Sequence, residues 1–316
     1  MPKRYEPIDL SGLNTYPLSE RKSKVDLADF SEAWEKGSPL SRFLSSLPDI
    51  LAGADLRSVI DSIAEAARAE KTVLLGMGAH VIKVGLNPVI IDLMERGIVT
   101  AVAMNGAGII HDLELALAGK TSEDVEASLK DGSFGMARET AELLCDALGK
   151  AEDRSAGLGE AVGSEIIERS LPHSEVSILA AGVRLGIPVT VHVAFGTDIL
   201  HMHPGFDPKA AGAATHRDFR TLASVVASID GGVYLNVGSA VVLPEVFLKA
   251  LTLVRNLGHR VESLTTVNLD FIRHYRPETN VVRRPAGLGG RGFHLTGHHE
   301  IMVPLIAAGV IEAVDS

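Results

Sequence analysis

The stretch Lys71–Asp112, KTVLLGMGAHVIKVGLNPVIIDLMERGIVTAVAMNGAGIIHD, constrains the fold more than any other part of the chain. Thr72–Leu75 is a short apolar run that stops at Gly76-Met77-Gly78, and Ile98–Met104 is a second that stops at Asn105-Gly106-Ala107-Gly108. Between them Pro88 suits the first turn of a helix whose apolar positions are Val89, Ile90, Leu93 and Met94, and Gly97 stands where a C-cap belongs. Two strands joined by a helix of this length pair in parallel through a right-handed crossover. Both glycine loops then fall at the carboxyl ends of neighbouring strands, the edge where open parallel sheets bind ligands. Glycine lets the backbone turn sharply and bring its N–H groups against a phosphate, and the positive end of the following helix adds to the attraction. The spacing is not that of the G-x-G-x-x-G fingerprint, and the same glycines also suit plain tight turns.

Strands and helices go on alternating to the end, which predicts a doubly wound, mostly parallel, Rossmann-like α/β fold. Residues 1–50 read as an extension with short helices at Leu27–Trp34 and Leu40–Leu47. Residues 51–316 read as one domain, with a helix over Asp55–Ala69 and a helical insertion at about 121–170. Beyond it we expect a helix capped by Ser174 and closed by Gly186, and a strand at Ile187–Val193. A helix at His216–Ile229, a strand at Val233–Val237, a helix at Pro244–Asn256 and a strand at Val261–Leu269 follow. Arg273–Gly297, rich in Arg, Pro and Gly, reads as an ordered functional loop, and Glu300–Ala313 as a closing helix.

Composition removes several classes of function. The formal net charge is −10, there is no basic run, and aromatic residues make up 4% of the chain, which argues against a nucleic-acid partner. No apolar run approaches the roughly 18 residues of a membrane span, and the opening MPKRYEPIDLSG lacks the apolar core of a secretion signal. The single cysteine, Cys145, excludes an internal disulfide and suits a reducing cytoplasm; its apolar helical surroundings make it a core residue rather than a nucleophile.

The order of motifs resembles the deoxyhypusine synthase family. GMGAHVIKVGL is similar to that family's loop around a nicotinamide cofactor, and MNGAGIIHDLELAL to its T-A-G-G-x-E-E-D loop and helix. SILAAGVRLGIPVTVHVAFGTDILHM, NVGSAVVLPEVFLKAL and YRPETNVV follow in the family's order, with a late turn at Gly297-His298, so the match runs from about Ile50 onward. The resemblance implies one Rossmann-like domain, NAD at the strand ends, and a homotetramer. It assigns cofactor contacts to Gly76, Gly78, Ala79, His80, Asn105, Gly106, Ala107, Gly108, Gly238, Gly297 and His298. The amine-handling residues differ. Where the family has its W-G-K lysine this chain reads Val281-Val282-Arg283-Arg284-Pro285, its paired histidines become Val242-Leu243-Pro244, and its two glutamates become Ile110 and His111, with Asp112 alone still acidic. We therefore expect redox-linked group transfer on a small amine or amino-acid-like substrate, without deoxyhypusine synthesis through an enzyme-bound imine, because an arginine stays charged and is no nucleophile.

The remaining candidates come from side-chain chemistry. His111, Asp112, Asp198 and His201 are the candidate catalytic groups, since imidazole and carboxylate move protons near neutral pH. Asp112 also suits a plain capping role. Arg276, Arg283 and Arg284 are placed to hold an anionic group of the substrate. His201 and His203 form an H-x-H that, with His299, is a candidate zinc-type site, although no recognised zinc spacing is present. Two other functional classes follow from these features: a metal-dependent hydrolase or lyase, and a nucleotide-binding protein without catalysis.

Overall fold

The structure, a computed structural model, describes residues 3–314; Met1, Pro2, Asp315 and Ser316, the outer ends of the expected divisions 1–50 and 51–316, lie outside the described residues. Six strands form a single sheet: β1 Val73–Met77, β2 Ala101–Asn105, β3 Val189–His192, β4 Val233–Val237, β5 Thr265–Asp270 and β6 Arg291–Thr296. Every neighbouring pair is parallel and the order is β3-β2-β1-β4-β5-β6. The doubly wound expectation holds, with the topological switch between β1 and β4.

The helices are α1 Leu40–Ser46, α2 Leu51–Arg68, the short α3 His80–Lys83, α4 Asn87–Glu95 and α5 Gly106–Ala118. The insertion contributes α6 Val125–Ser128, α7 Arg138–Asp153 and α8 Leu158–Glu168. Then come α9 Ile178–Leu185, α10 Pro208–Ala227, α11 Val242–Asn256, α12 Tyr275–Pro277 and α13 His299–Val314. None of the described helices is long and apolar enough to cross a membrane.

Alternation along the strands decides which core each residue joins. Val73, Leu75 and Met77 of β1 face the larger core, which takes Ile60 and Ile63 of α2, Ile90 of α4 and Ile306 of α13; Leu74 faces the smaller one, with Val226 of α10 and Phe247 of α11. Gly76 is the β1 position where this smaller core has no room: a Cβ would stand 2.7 Å from the Tyr234 hydroxyl, whose ring stacks on Phe247 at 3.8 Å. At the sheet's edge, β3 is closed by side chains of α10. Val191 N–H donates to Asp218 at 2.9 Å, and the Thr215 hydroxyl donates to the Val191 carbonyl at 2.8 Å, which shields the strand from pairing with another chain.

Several boundaries move, each for a local reason. Ser177, not Ser174, caps α9, accepting from Ala180 N–H at 3.0 Å. Helix α10 starts well before His216 because Asp207 caps it and Pro208 fits its first turn. Strand β5 starts at Thr265 rather than Val261, since the Asp230 carboxylate captures the N–H groups of Glu262 and Ser263. Leu27–Asp29 is a short 3₁₀ turn and not a helix to Trp34. Arg273–Gly297 is not one irregular loop: it holds α12, a π-helical turn Glu278–Arg283, and all of β6, which sends Leu295 into the core.

Asp112 ties α5 to the two helices beside it. It is fully buried and accepts from Asn87 Nδ2 at 3.0 Å, Ile178 N–H at 2.9 Å, Leu179 N–H at 3.2 Å and the Ser177 hydroxyl. Burial pushes its pKa up to about 6 against the pull of those donors. Its expected catalytic role is corrected to a framework one, because its oxygens are already occupied inside the protein. Asp112→Ala leaves four buried donors without an acceptor and is expected to cost about 2–4 kcal/mol of stability. Urea unfolding checks this, and an unchanged midpoint would contradict it.

Candidate functional site

All six strands point the same way, so their carboxyl ends and the loops that leave them share one edge. At the switch, the loops after β1 and β4 meet back to back. A Cβ on Gly78 would overlap the Gly238 carbonyl, and the Gly78 N–H donates to the Val237 carbonyl at 2.9 Å. Gly238 itself has φ +67° and lies so close to His299 that a Cβ would stand 2.7 Å from its Cε1. These two positions require glycine for close approach and, at Gly238, for backbone conformation.

On the β4–β6 side of the switch, imidazole and phenyl rings gather. His80 lies 5.3 Å from His299 and 5.9 Å from Phe271, measured between ring centroids, and Phe271 stacks on His298 at 6.0 Å. His299 is fully buried at the start of α13, 3.8 Å from Asp270, and neither ring nitrogen has a hydrogen-bond partner in the protein. Burial holds its pKa below the ordinary value, with Asp270 opposing. Beneath this group a polar ladder crosses three strands. Asn236 Nδ2 donates to Asn268 Oδ1 at 2.7 Å, and Asn268 Nδ2 lies 3.2 Å from His294 Nδ1. Asp270, Phe271 and the two asparagines are site residues that the sequence reading missed. The signal available for Asp270 was its place at the end of an apolar strand, immediately before a polar turn.

On the β2–β3 side, Asn105 caps α5 by accepting from Gly108 N–H at 3.0 Å, and the segment after β3 folds over that helix start. Asp198 lies directly on Gly106, where any Cβ would collide with its carboxyl group. One Asp198 oxygen is buried without a partner, and burial pushes its pKa up while His201 opposes. His201 stacks on Phe195 at 5.0 Å and meets Phe206 edge-on at 4.9 Å. Asp198 and His201, with Gly106, Ile109 and Phe206, line a small internal cavity. Asp198 and His201 are therefore brought together as expected.

His111 faces α3 from α5. Its Nδ1 lies 2.7 Å from the Thr121 hydroxyl, which itself donates to Glu114. Thr121 must then accept from an Nδ1–H, which fixes the tautomer and leaves Nε2 as an acceptor. Burial, with Lys83 adding to it, holds the His111 pKa down at about 4.

The metal expectation is corrected. His201, His203 and His299 do not form a metal site: His201 lies among phenylalanines, His203 Nε2 bonds the Gly135 carbonyl at 2.9 Å, and His299 is buried beside Asp270. Among the described residues no three His, Cys, Asp or Glu side chains are placed to hold a metal ion. Arg276, Arg283 and Arg284 each make a bond within the protein, with Glu245 at 3.0 Å, Glu278 at 3.1 Å and Asn280 at 2.8 Å respectively, and Arg276 and Arg283 keep much of their side chains in solvent.

No protein-family model and no curated protein sequence is similar to the chain. Solved structures are. A ternary complex of AgrE with ornithine and NAD+ superposes with a TM-score of 0.53 at 13% identity, covering 84% of this chain but 34% of that one, so the chain spans about a third of AgrE. A candidate deoxyhypusine synthase from Entamoeba histolytica gives 0.53 at 12% identity, covering 89% of this chain and 96% of that one. A candidate LOR/SDH protein from Methanococcus maripaludis S2 gives 0.51 at 13% identity, over 88% and 71%. The chain shares their fold: an all-parallel six-stranded sheet between helices.

A depressed pKa means that protonating His111 opposes folding: its contribution to stability is present above pH 6.5 and is lost as pH falls through about 4. Its ring should thus stay neutral across the neutral range, with the proton on Nδ1, in long-range ¹H–¹⁵N spectra. Lys83→Met should raise the midpoint. A His111 midpoint at its ordinary value would contradict both the tautomer and the burial.

Proposed function

We propose that the chain is a nicotinamide-dinucleotide-binding enzyme that carries out redox-linked transfer on a small amine or amino-acid-like substrate. The observation that carries this reading is the glycine-on-glycine contact of Gly78 and Gly238 at the β1–β4 switch, the place where sheets of this order take dinucleotides. The AgrE structure of the same fold contains NAD+ and ornithine, which supports both halves of the proposal.

The residues present suit the cofactor. Gly76, Gly78, Ala79 and His80 after β1, Asn105 to Gly108 after β2, Gly238 after β4, and Gly297 and His298 after β6 supply the backbone and ring surfaces that would hold it. The unpartnered nitrogens of His299 lie beside Gly238 and lack only a polar group to bond. When bound, the nicotinamide would accept or return a hydride. The protein's own part is binding and proton handling. Asp198 would hold a cationic amine: a buried carboxyl with a raised pKa becomes a firm anion once a cation sits against it. The stacked Phe195, His201 and Phe206 would exclude water from the carbon chain. His111, neutral with Nε2 free, would accept a hydrogen bond or a proton. Lys249 pairs with Glu245 on α11 and Lys83 is exposed on α3, so neither is the buried amine that a covalent lysine route needs.

Titration calorimetry with NAD should show binding, and Gly78→Val should abolish it; absence of heat with both NAD and NADH would remove the cofactor from this reading. With NAD present, Asp198→Asn should weaken binding of ornithine or spermidine probes by roughly 10- to 100-fold, the worth of one charge-assisted bond. Unchanged affinity for every amine tested would remove Asp198 as the anchor. Borohydride treatment in the presence of NAD and polyamine should leave no reduced adduct on Lys83 or Lys249, and an adduct on either would restore the covalent mechanism.

A further inference from the structure

Residues 3–34 are joined to the body of the protein only near their end. Their backbone hydrogen bonds are local turns, such as Leu13 N–H to the Leu10 carbonyl and Arg21 N–H to the Leu18 carbonyl. The first long-range links are Glu32 N–H to the Ser46 carbonyl and Asp49 N–H to the Asp29 carbonyl. Along this segment Tyr5, Ile8, Leu10, Leu13, Tyr16 and Leu18 stand in solvent, from 65% exposed at Tyr16 to 85% at Ile8. Segments that stay solvated are poor in aromatic and aliphatic side chains, because such side chains gain free energy on leaving water. This one is rich in them, and aromatic enrichment is the mark of an interface. An aromatic side chain buries about 150–250 Å², so the set approaches the roughly 800 Å² that one partner gives to a standard interface.

Charge indicates what the segment covers. Residues 1–24 hold five basic side chains, Lys3, Arg4, Arg21, Lys22 and Lys24, against three acidic ones, Glu6, Asp9 and Glu20, for a net +2. The whole chain carries −10, so the remainder carries −12. Up to Lys24 the segment is apolar and net basic, it stands clear of its own body, and the remainder of the chain is strongly acidic.

We propose that residues 3–24 form an exchange arm that lies on a second copy of this chain, with its apolar side chains against that copy's surface and its basic residues beside that copy's acidic groups. Reciprocal exchange closes the pair with two-fold symmetry, the commonest form of association. The arm thereby gives a physical basis for self-association that is independent of the cofactor reading.

The test uses the full chain and a triple variant, Ile8→Ser, Leu10→Ser and Leu13→Ser. These side chains are exposed within their own chain, so thermal unfolding by circular dichroism should be unchanged in the dilute, dissociated protein. In sedimentation velocity at micromolar concentration the wild type should run at no less than twice the mass of one chain, and the variant should dissociate at roughly tenfold higher concentration or more. Lysine cross-linking of mixed ¹⁴N and ¹⁵N chains should give mixed-isotope pairs from Lys22 or Lys24 to the body. A wild type at the mass of one chain, an oligomer indifferent to the three substitutions, or cross-links confined to one isotope would each overturn the proposal. Binding of the arm to anionic vesicles by a chain that stays monomeric would do so as well.

Discussion

Where β1 and β4 leave the sheet, their loops touch through two glycines, and no side chain fits between them. The candidate site depends on that contact. Helices α4 and α11, on the two sides of the switch, pack on opposite faces of the sheet, so the chain departs in opposite directions there, the arrangement at which sheets of this order take ligands. Any Cβ on Gly78 would push the β4 loop outward, and one on Gly238 would strike His299.

Buried polar groups tie the surrounding elements together. Asp112 binds α5 to α4 and α9, Asp218 binds β3 to α8 and α10, and the Asn236–Asn268–His294 ladder links β4, β5 and β6. A partly unsatisfied polar group costs more in an apolar interior than at a surface, so these groups specify one arrangement. Unpartnered buried atoms occur in both sets: Asn87 Oδ1 and His294 Nε2 within the framework, and one Asp198 oxygen and both His299 ring nitrogens at the strand ends on either side of the switch.

The part of the fold legible in the sequence is the part written in local signals. Strands β1, β2 and β4 are apolar runs that end in glycine loops, and periodicity with capping residues marks α2, α4 and α11. Strand β6 was hidden because its flanking arginines and glycines are what a loop also uses, and only Phe293 and Leu295 carry its alternation. Asp198 and His201 were found as a neighbouring pair in sequence, but their position over Gly106 depends on how the segment after β3 folds back. The histidine trio failed for the same reason in reverse: proximity of His201 to His203 in sequence does not bring either to His299. The partners of the arginines, Glu245, Glu278 and Asn280, were not legible because they look unremarkable in sequence.

The central claim is that ligand binding is organised at the β1–β4 switch. Hydrogen-exchange mass spectrometry with and without NAD tests it most directly, because it reports binding and place together. The expected result is slowed exchange in peptides covering residues 76–83, 105–112, 238–241 and 297–299, with the insertion at 121–170 unchanged. NAD binding that slowed exchange elsewhere and left those four segments untouched would contradict it.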